Sequence, residues 1–104
     1  MAAAKKKIKE FNPETVFKRK QDQLFSEIDG EVVMLSVENS EYYGMDKVGS
    51  RIWQLLEKEI TWQELIERLL DEYEVAEDQC KEDTRKFIEQ LIEKDLVVIA
   101  LNPS

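Results

Sequence analysis

Residues 23–37 read Gln-Leu-Phe-Ser-Glu-Ile-Asp-Gly-Glu-Val-Val-Met-Leu-Ser-Val, and their alternation decides the fold. Leu24, Ser26 and Ile28 share one face, with Phe25 and Glu27 on the other. Past Asp29-Gly30, Val32, Met34 and Ser36 alternate with Val33, Leu35 and Val37. Period two marks β-strands, in which successive side chains point to opposite faces. Asp-Gly suits the left-handed backbone of a two-residue turn, so the stretch predicts a β-hairpin. After the polar turn Glu38-Asn39, Ser40 to Met45 forms a third strand from Glu41, Tyr42 and Tyr43 that Gly44 ends. The prediction is a three-stranded antiparallel meander.

Downstream the period becomes helical. Asp46 is an N-cap candidate for a helix that carries Val48, Ile52, Trp53, Leu55 and Leu56 on its apolar side. Thr61, with Glu64 three residues later, makes a capping box for a second helix striped by Trp62, Leu65, Ile66, Leu69 and Leu70. A third helix runs from about Ala76 to Lys94, with Cys80, Thr84, Phe87, Ile88, Leu91 and Ile92 turned inward. Leu96 to Leu101, apolar and partly β-branched, reads as a closing strand. Upstream, Met1 to Asn12 is a basic stretch with almost nothing to bury, read as a disordered tail, and Pro13 opens a single domain of residues 13–104. Glu14 to Lys20 is a lead-in that pairs briefly with the sheet. The fold class is α+β: a strands-first winged helix-turn-helix, with a three-stranded antiparallel sheet followed by three helices and a short terminal strand.

The composition excludes several kinds of chemistry. In 104 residues there is no histidine and only one cysteine, so Ser-His-Asp triads, Cys-His dyads and cysteine-rich metal clusters are ruled out. Cys80 lies on the inner stripe of the third helix and reads as a small buried hydrophobe. Gly30, Gly44 and Gly49 stand apart and form no phosphate loop. Acidic pairs such as Glu27 with Asp29, or Asp71 with Glu72, read as solvated surface. The reading is therefore a protein that is not an enzyme and uses no cofactor and no metal. No apolar run approaches the roughly 18–20 residues that span a bilayer, and the N-terminal stretch lacks the apolar core of a signal peptide, so a cytoplasmic protein without a membrane partner is expected. Net charge is −8 overall. The first twenty residues hold seven Lys/Arg against two Glu, which leaves eight Lys/Arg against twenty-one Asp/Glu in the remainder. An acidic body repels phosphate backbones, so no nucleic-acid partner is expected.

The third strand is the feature with functional content. A sheet edge presents unpaired N–H and C=O groups, and Ser40 to Met45 carries one charge, Glu41, with neither proline nor lysine to discourage pairing. Such an edge accepts an extended peptide, with main-chain bonds for affinity and side-chain pockets for selection. Adjacent strand residues face opposite ways, so only one of Tyr42 and Tyr43 faces the core, and the other lies on a wet face or under a partner.

The run from Ser36 to Tyr73, SVENSEYYGMDKVGSRIWQLLEKEITWQELIERLLDEY, followed by EDTRKFIEQLIEKDLVVI, resembles the coenzyme PQQ synthesis protein D family. Met45-Asp46, Ile52-Trp53, Leu55-Leu56, Thr61, Glu64-Leu65, Phe87-Ile88, Leu91 and Leu96 carry the likeness, which covers about Leu24 to Ile99. The resemblance implies a domain that recognises ribosomally made, post-translationally modified peptides. It binds the leader of a precursor as an added strand between the third strand and the third helix. Tyr42 to Trp53 looks most like the freestanding members of lasso-peptide clusters, which work with a separate leader peptidase and a macrolactam-forming cyclase. Carried onto this chain, the peptide pairs with Ser40, Glu41, Tyr42, Tyr43, Gly44 and Met45. Lys81 and Arg85 meet acidic leader side chains, and Thr84 and Ile88 form the apolar floor.

Rival readings remain. A carrier of the coenzyme PQQ precursor peptide has the same mechanism with a different ligand, and an interaction domain for an unrelated peptide keeps the open edge without leader selectivity. A winged-helix DNA-binding regulator shares the fold, but Glu77 to Lys94 holds six Asp/Glu against four Lys/Arg where a recognition helix should be basic.

Overall fold

The computed structural model describes residues 11–21, 24–36 and 41–101. The hairpin forms as the alternation predicts: Leu24–Ile28 (β2) pairs antiparallel with Glu31–Ser36 (β3), which pairs with Glu41–Gly44 (β4), in the order β2-β3-β4. Asp29 (φ 53°) and Gly30 (φ 82°) both take positive φ, which a tight hairpin turn of this hand requires. Val32 and Met34 are buried beneath the helices, while Leu35 on the opposite face is 40% exposed. The turn at Glu38-Asn39, Ser40 and residues 1–10 lie outside the described residues.

The helices are Lys47–Leu55 (α1), Trp62–Glu72 (α2) and Glu77–Glu93 (α3). Asp46 Oδ1 accepts from the Gly49 amide at 2.8 Å, and Thr61 Oγ1 accepts from the Glu64 amide at 3.1 Å, so both predicted N-caps form. Arg51 grips Glu72 with two parallel bonds, Nε to Oε1 at 2.8 Å and Nη2 to Oε2 at 2.9 Å, and ties α1 to α2. That pairing holds the Glu72 carboxyl below the usual carboxylate range. Trp53, Leu56, Leu65, Leu69 and Ile88 interlock in one core with Val32, Met34 and Phe17.

The structure departs from the sequence reading in having a second sheet. Val16–Arg19 (β1) does not join the meander. It pairs antiparallel with Ile60–Thr61 (β5) on one side and with Val97–Leu101 (β6) on the other, in the order β5-β1-β6. The lead-in also completes α2. The carbonyls of Thr15 and Pro13 accept from the amides of Trp62 (2.8 Å) and Gln63 (3.1 Å), two of the N–H groups that a helix start leaves without partners. The tail boundary also moves. Phe11, assigned to the tail, is 8% exposed and packs edge-on against Phe17 and Trp62 at 4.8 and 5.1 Å between centroids. One aromatic in a basic run has no period to reveal it, and of its partners Phe17 is six residues away and Trp62 fifty-one.

Candidate functional site

β4 stands at the edge of its sheet among the described residues, and its phase is set by one bond. The Met45 amide donates to the Val32 carbonyl at 2.9 Å. Main-chain groups alternate sides along a strand, so Tyr43 shares this orientation toward β3, whereas the N–H and C=O of Tyr42 and Gly44 point to the open side. Ser50 fastens that edge from beneath. Its buried Oγ accepts from the Val32 amide at 2.7 Å and donates to the Met45 carbonyl at 3.3 Å, joining β3, the end of β4 and α1. The edge is therefore held in place before any partner arrives.

Period two separates the tyrosines. Tyr43 lies opposite buried Met34 and packs half-buried against the core, while Tyr42 lies opposite Leu35 and is 75% exposed. Leu24, Leu35 and Tyr42 form a cross-strand apolar row on the outer face. On the inner side the Lys94 ammonium sits 4.5 Å from the Tyr43 ring centroid, so the end of α3 meets β4 there.

α3 presents three different faces. Cys80, Thr84, Ile88 and Leu91 are buried. One flank, running Asp83, Phe87, Gln90, Lys94, turns toward α1 and β4. Phe87 packs so closely on α1 that a Cβ at Gly49 would stand 3.1 Å from its Cζ. Between this flank, Val48, Ile52, Tyr73 and Val75 lies a groove of about 610 Å³, with Asp46, Glu74 and Asp83 on its rim. The other flank carries Lys81 and Arg85. They line a separate groove of about 810 Å³ with Phe11, Trp62 and Ile66, and they are paired to Glu77 (3.1 Å) and Glu89 (3.0 Å).

The structure thus brings together only part of the expected site. Tyr42, Tyr43 and Gly44 form the edge, Met45 is buried just beyond it, and Thr84 lines the 610 Å³ groove. Glu41 belongs to β4 by its backbone, and Ser40 lies outside the described residues. Ile88 is fully buried and lines neither groove. Lys81 and Arg85 sit on the flank away from Tyr43, because a helix has two flanks symmetric about its buried stripe and the stripe alone does not choose between them. Phe87, Gln90 and Lys94 occupy the flank that meets the strand. The signal for them was their spacing of three and four residues beside the core stripe.

Cys80 is buried, its Sγ 4.0 Å from Thr84 Oγ1, and burial pushes its thiol above the ordinary value, so it stays protonated. Among the described residues no group of three His, Cys, Asp or Glu side chains is placed to hold a metal ion, and no helix is long and apolar enough to cross a membrane.

Comparison with known proteins agrees with this geometry. No curated protein sequence matches the chain. A solved structure titled "TbiB1 in Complex with the TbiA(beta) Leader Peptide" is 36% identical, with a TM-score of 0.67, and the match covers 77% of this chain and 93% of that one. A second, "Lasso peptide synthetase B1 complexed with the leader peptide", has a TM-score of 0.68 at 21% identity, covering 79% and 96%, and shares the fold. The family model described as "Coenzyme PQQ synthesis protein D (PqqD)" matches residues 31–97, from the return strand of the hairpin to the first residue of β6. The winged, strands-first fold, the open β4 edge beside α3 and this match agree: the chain belongs to the coenzyme PQQ synthesis protein D family.

Proposed function

We propose that this domain captures the leader segment of a ribosomally made precursor peptide, of the lasso type, as a fourth strand on β4, and presents it to modifying enzymes. The observation that carries the reading is the β4 edge: held by Ser50, outward at Tyr42 and Gly44, and followed at Asp46 by the groove between α1 and α3. The similar protein TbiB1, solved with a leader peptide, supports the choice of ligand. Two outward residues offer two donors and two acceptors. At about 0.5–1.5 kcal/mol net for each main-chain bond, they supply part of the affinity, and side chains in the groove supply the remainder with the selectivity. The domain acts as a binding protein and not as an enzyme. It works in the cytoplasm beside a separate leader peptidase and a macrolactam-forming cyclase, which receive the captured peptide.

The test is a fluorescence-polarisation titration against labelled lasso-precursor leaders, TbiA(β) among them, a coenzyme PQQ precursor, and duplex DNA. Saturable binding of a lasso leader, with weaker binding of the PQQ precursor and none of the DNA, is the expected result. Preference for the PQQ precursor would reassign the pathway and keep the mechanism. Binding of neither peptide would overturn the reading.

A further inference from the structure

We propose that Lys94 selects for a carboxylate on the added strand, so that favoured leaders carry aspartate or glutamate at the one position lying beside Tyr43 on the helix side. This rests on the leader-binding reading and specifies the ligand of the same site.

The lysines and arginine of α3 differ in one respect. Lys81, Arg85 and Lys86 each pair with a glutamate four residues earlier or later on the helix: Glu77 at 3.1 Å, Glu89 at 3.0 Å and Glu82 at 3.5 Å. Lys94 has Gln90 at the corresponding position, and among the described side chains no carboxylate lies within ion-pair distance of it. Its ammonium rests on the face of Tyr43, 4.5 Å from the ring centroid, and is held at the strand edge. A strand added to β4 places every second side chain on the Tyr43 face, so one such side chain arrives beside this cation. Asp46, Glu74 and Asp83 line the neighbouring groove between α1 and α3, where the lysine present, Lys86, is already paired with Glu82 at 3.5 Å, so that groove offers a carboxylate no free cation. The net charge of −8 gives an acidic peptide no general attraction either. The preference is therefore local and confined to one register.

The experiment is a yeast-displayed library of fully randomised ten-residue peptides, sorted on purified wild-type protein, Lys94→Met and Lys94→Glu. Lys94→Met keeps most of the stem over Tyr43 and removes the charge. Lys94 is exposed at a helix end, and matching thermal melts confirm that each variant is folded. Wild-type pools should enrich Asp or Glu at a single position. The Met variant should lose that enrichment, and the Glu variant should replace it with Lys or Arg. For one purified acidic peptide, binding to Lys94→Met should be roughly two- to five-fold weaker in low salt, the range of an exposed ion pair, and the gap should close as salt is added. The same acidic preference in all three pools, or strongly enriched wild-type pools with no acidic position, would overturn this inference alone. Wild-type pools without any enriched peptide would overturn the strand-addition reading, and this inference with it.

Discussion

Tyr42→Pro sharply weakens leader binding and leaves the domain folded. The Tyr42 amide points to the open side of β4, so a proline there removes a donor that only an added strand uses, and its ring projects into the space that strand needs. Glu41 is already in an extended strand, as the residue before a proline prefers. A lost main-chain bond alone costs about 1 kcal/mol, and with the ring in the way the affinity should fall at least roughly tenfold. Tyr42→Ala separates the side chain from the backbone and should lose less. Tyr43→Pro is the contrasting change. Tyr43 turns its amide toward β3, in phase with the Met45–Val32 bond, so proline there breaks the sheet itself. Titrations with circular dichroism on each variant decide the matter, and a folded Tyr42→Pro that binds as tightly as wild type removes β4 as the docking edge.

Trp53→Ala has the largest expected effect on stability. The ring is wholly buried, with Phe25 edge-on at 5.7 Å and the Arg19 guanidinium 4.9 Å over its face. Arg19 also donates from Nη1 to the Trp53 carbonyl at 3.0 Å, so this cluster joins β1 to both α1 and β2. Partial burial lowers the Arg19 pKa from its usual value, against the pull of Glu57 and Glu27. Truncating a buried Trp costs about 3–5 kcal/mol, a large share of the roughly 5–15 kcal/mol that holds a domain folded. Urea denaturation should show that loss. Trp53→Phe should cost much less, because Trp53 Nε1 is buried without a protein partner and its removal leaves nothing unpaired. A loss below about 1 kcal/mol for Trp53→Ala would contradict the place given to this cluster.

What the sequence disclosed follows the range of the interactions involved. The Asp29-Gly30 hairpin, the caps at Asp46 and Thr61 and the bounds of α3 are local, so period and cap residues sufficed. The second sheet was not legible. β1 has four residues and β5 two, too short for a period, and their pairing joins residue 16 to residues 61 and 101. Within the site, the strand was legible from Tyr42-Tyr43-Gly44, and alternation required that only one of the two tyrosines face the core, which is half-buried Tyr43. The rotation of α3 was not. Cys80, Thr84, Ile88 and Leu91 mark the buried stripe, yet only the contacts of Phe87 with Gly49 and of Lys94 with Tyr43 show which flank meets β4.

A peptide added to β4 takes up particular backbone groups, and amide hydrogen exchange read residue by residue by NMR reports on them directly. Addition of a saturating lasso-precursor leader should slow exchange at the amides of Tyr42 and Gly44, which face the open side in the free domain. Tyr43 and Met45, facing β3 already, should change less. Peptide bound at saturation with Tyr42 and Gly44 exchanging as fast as before would contradict strand addition on β4.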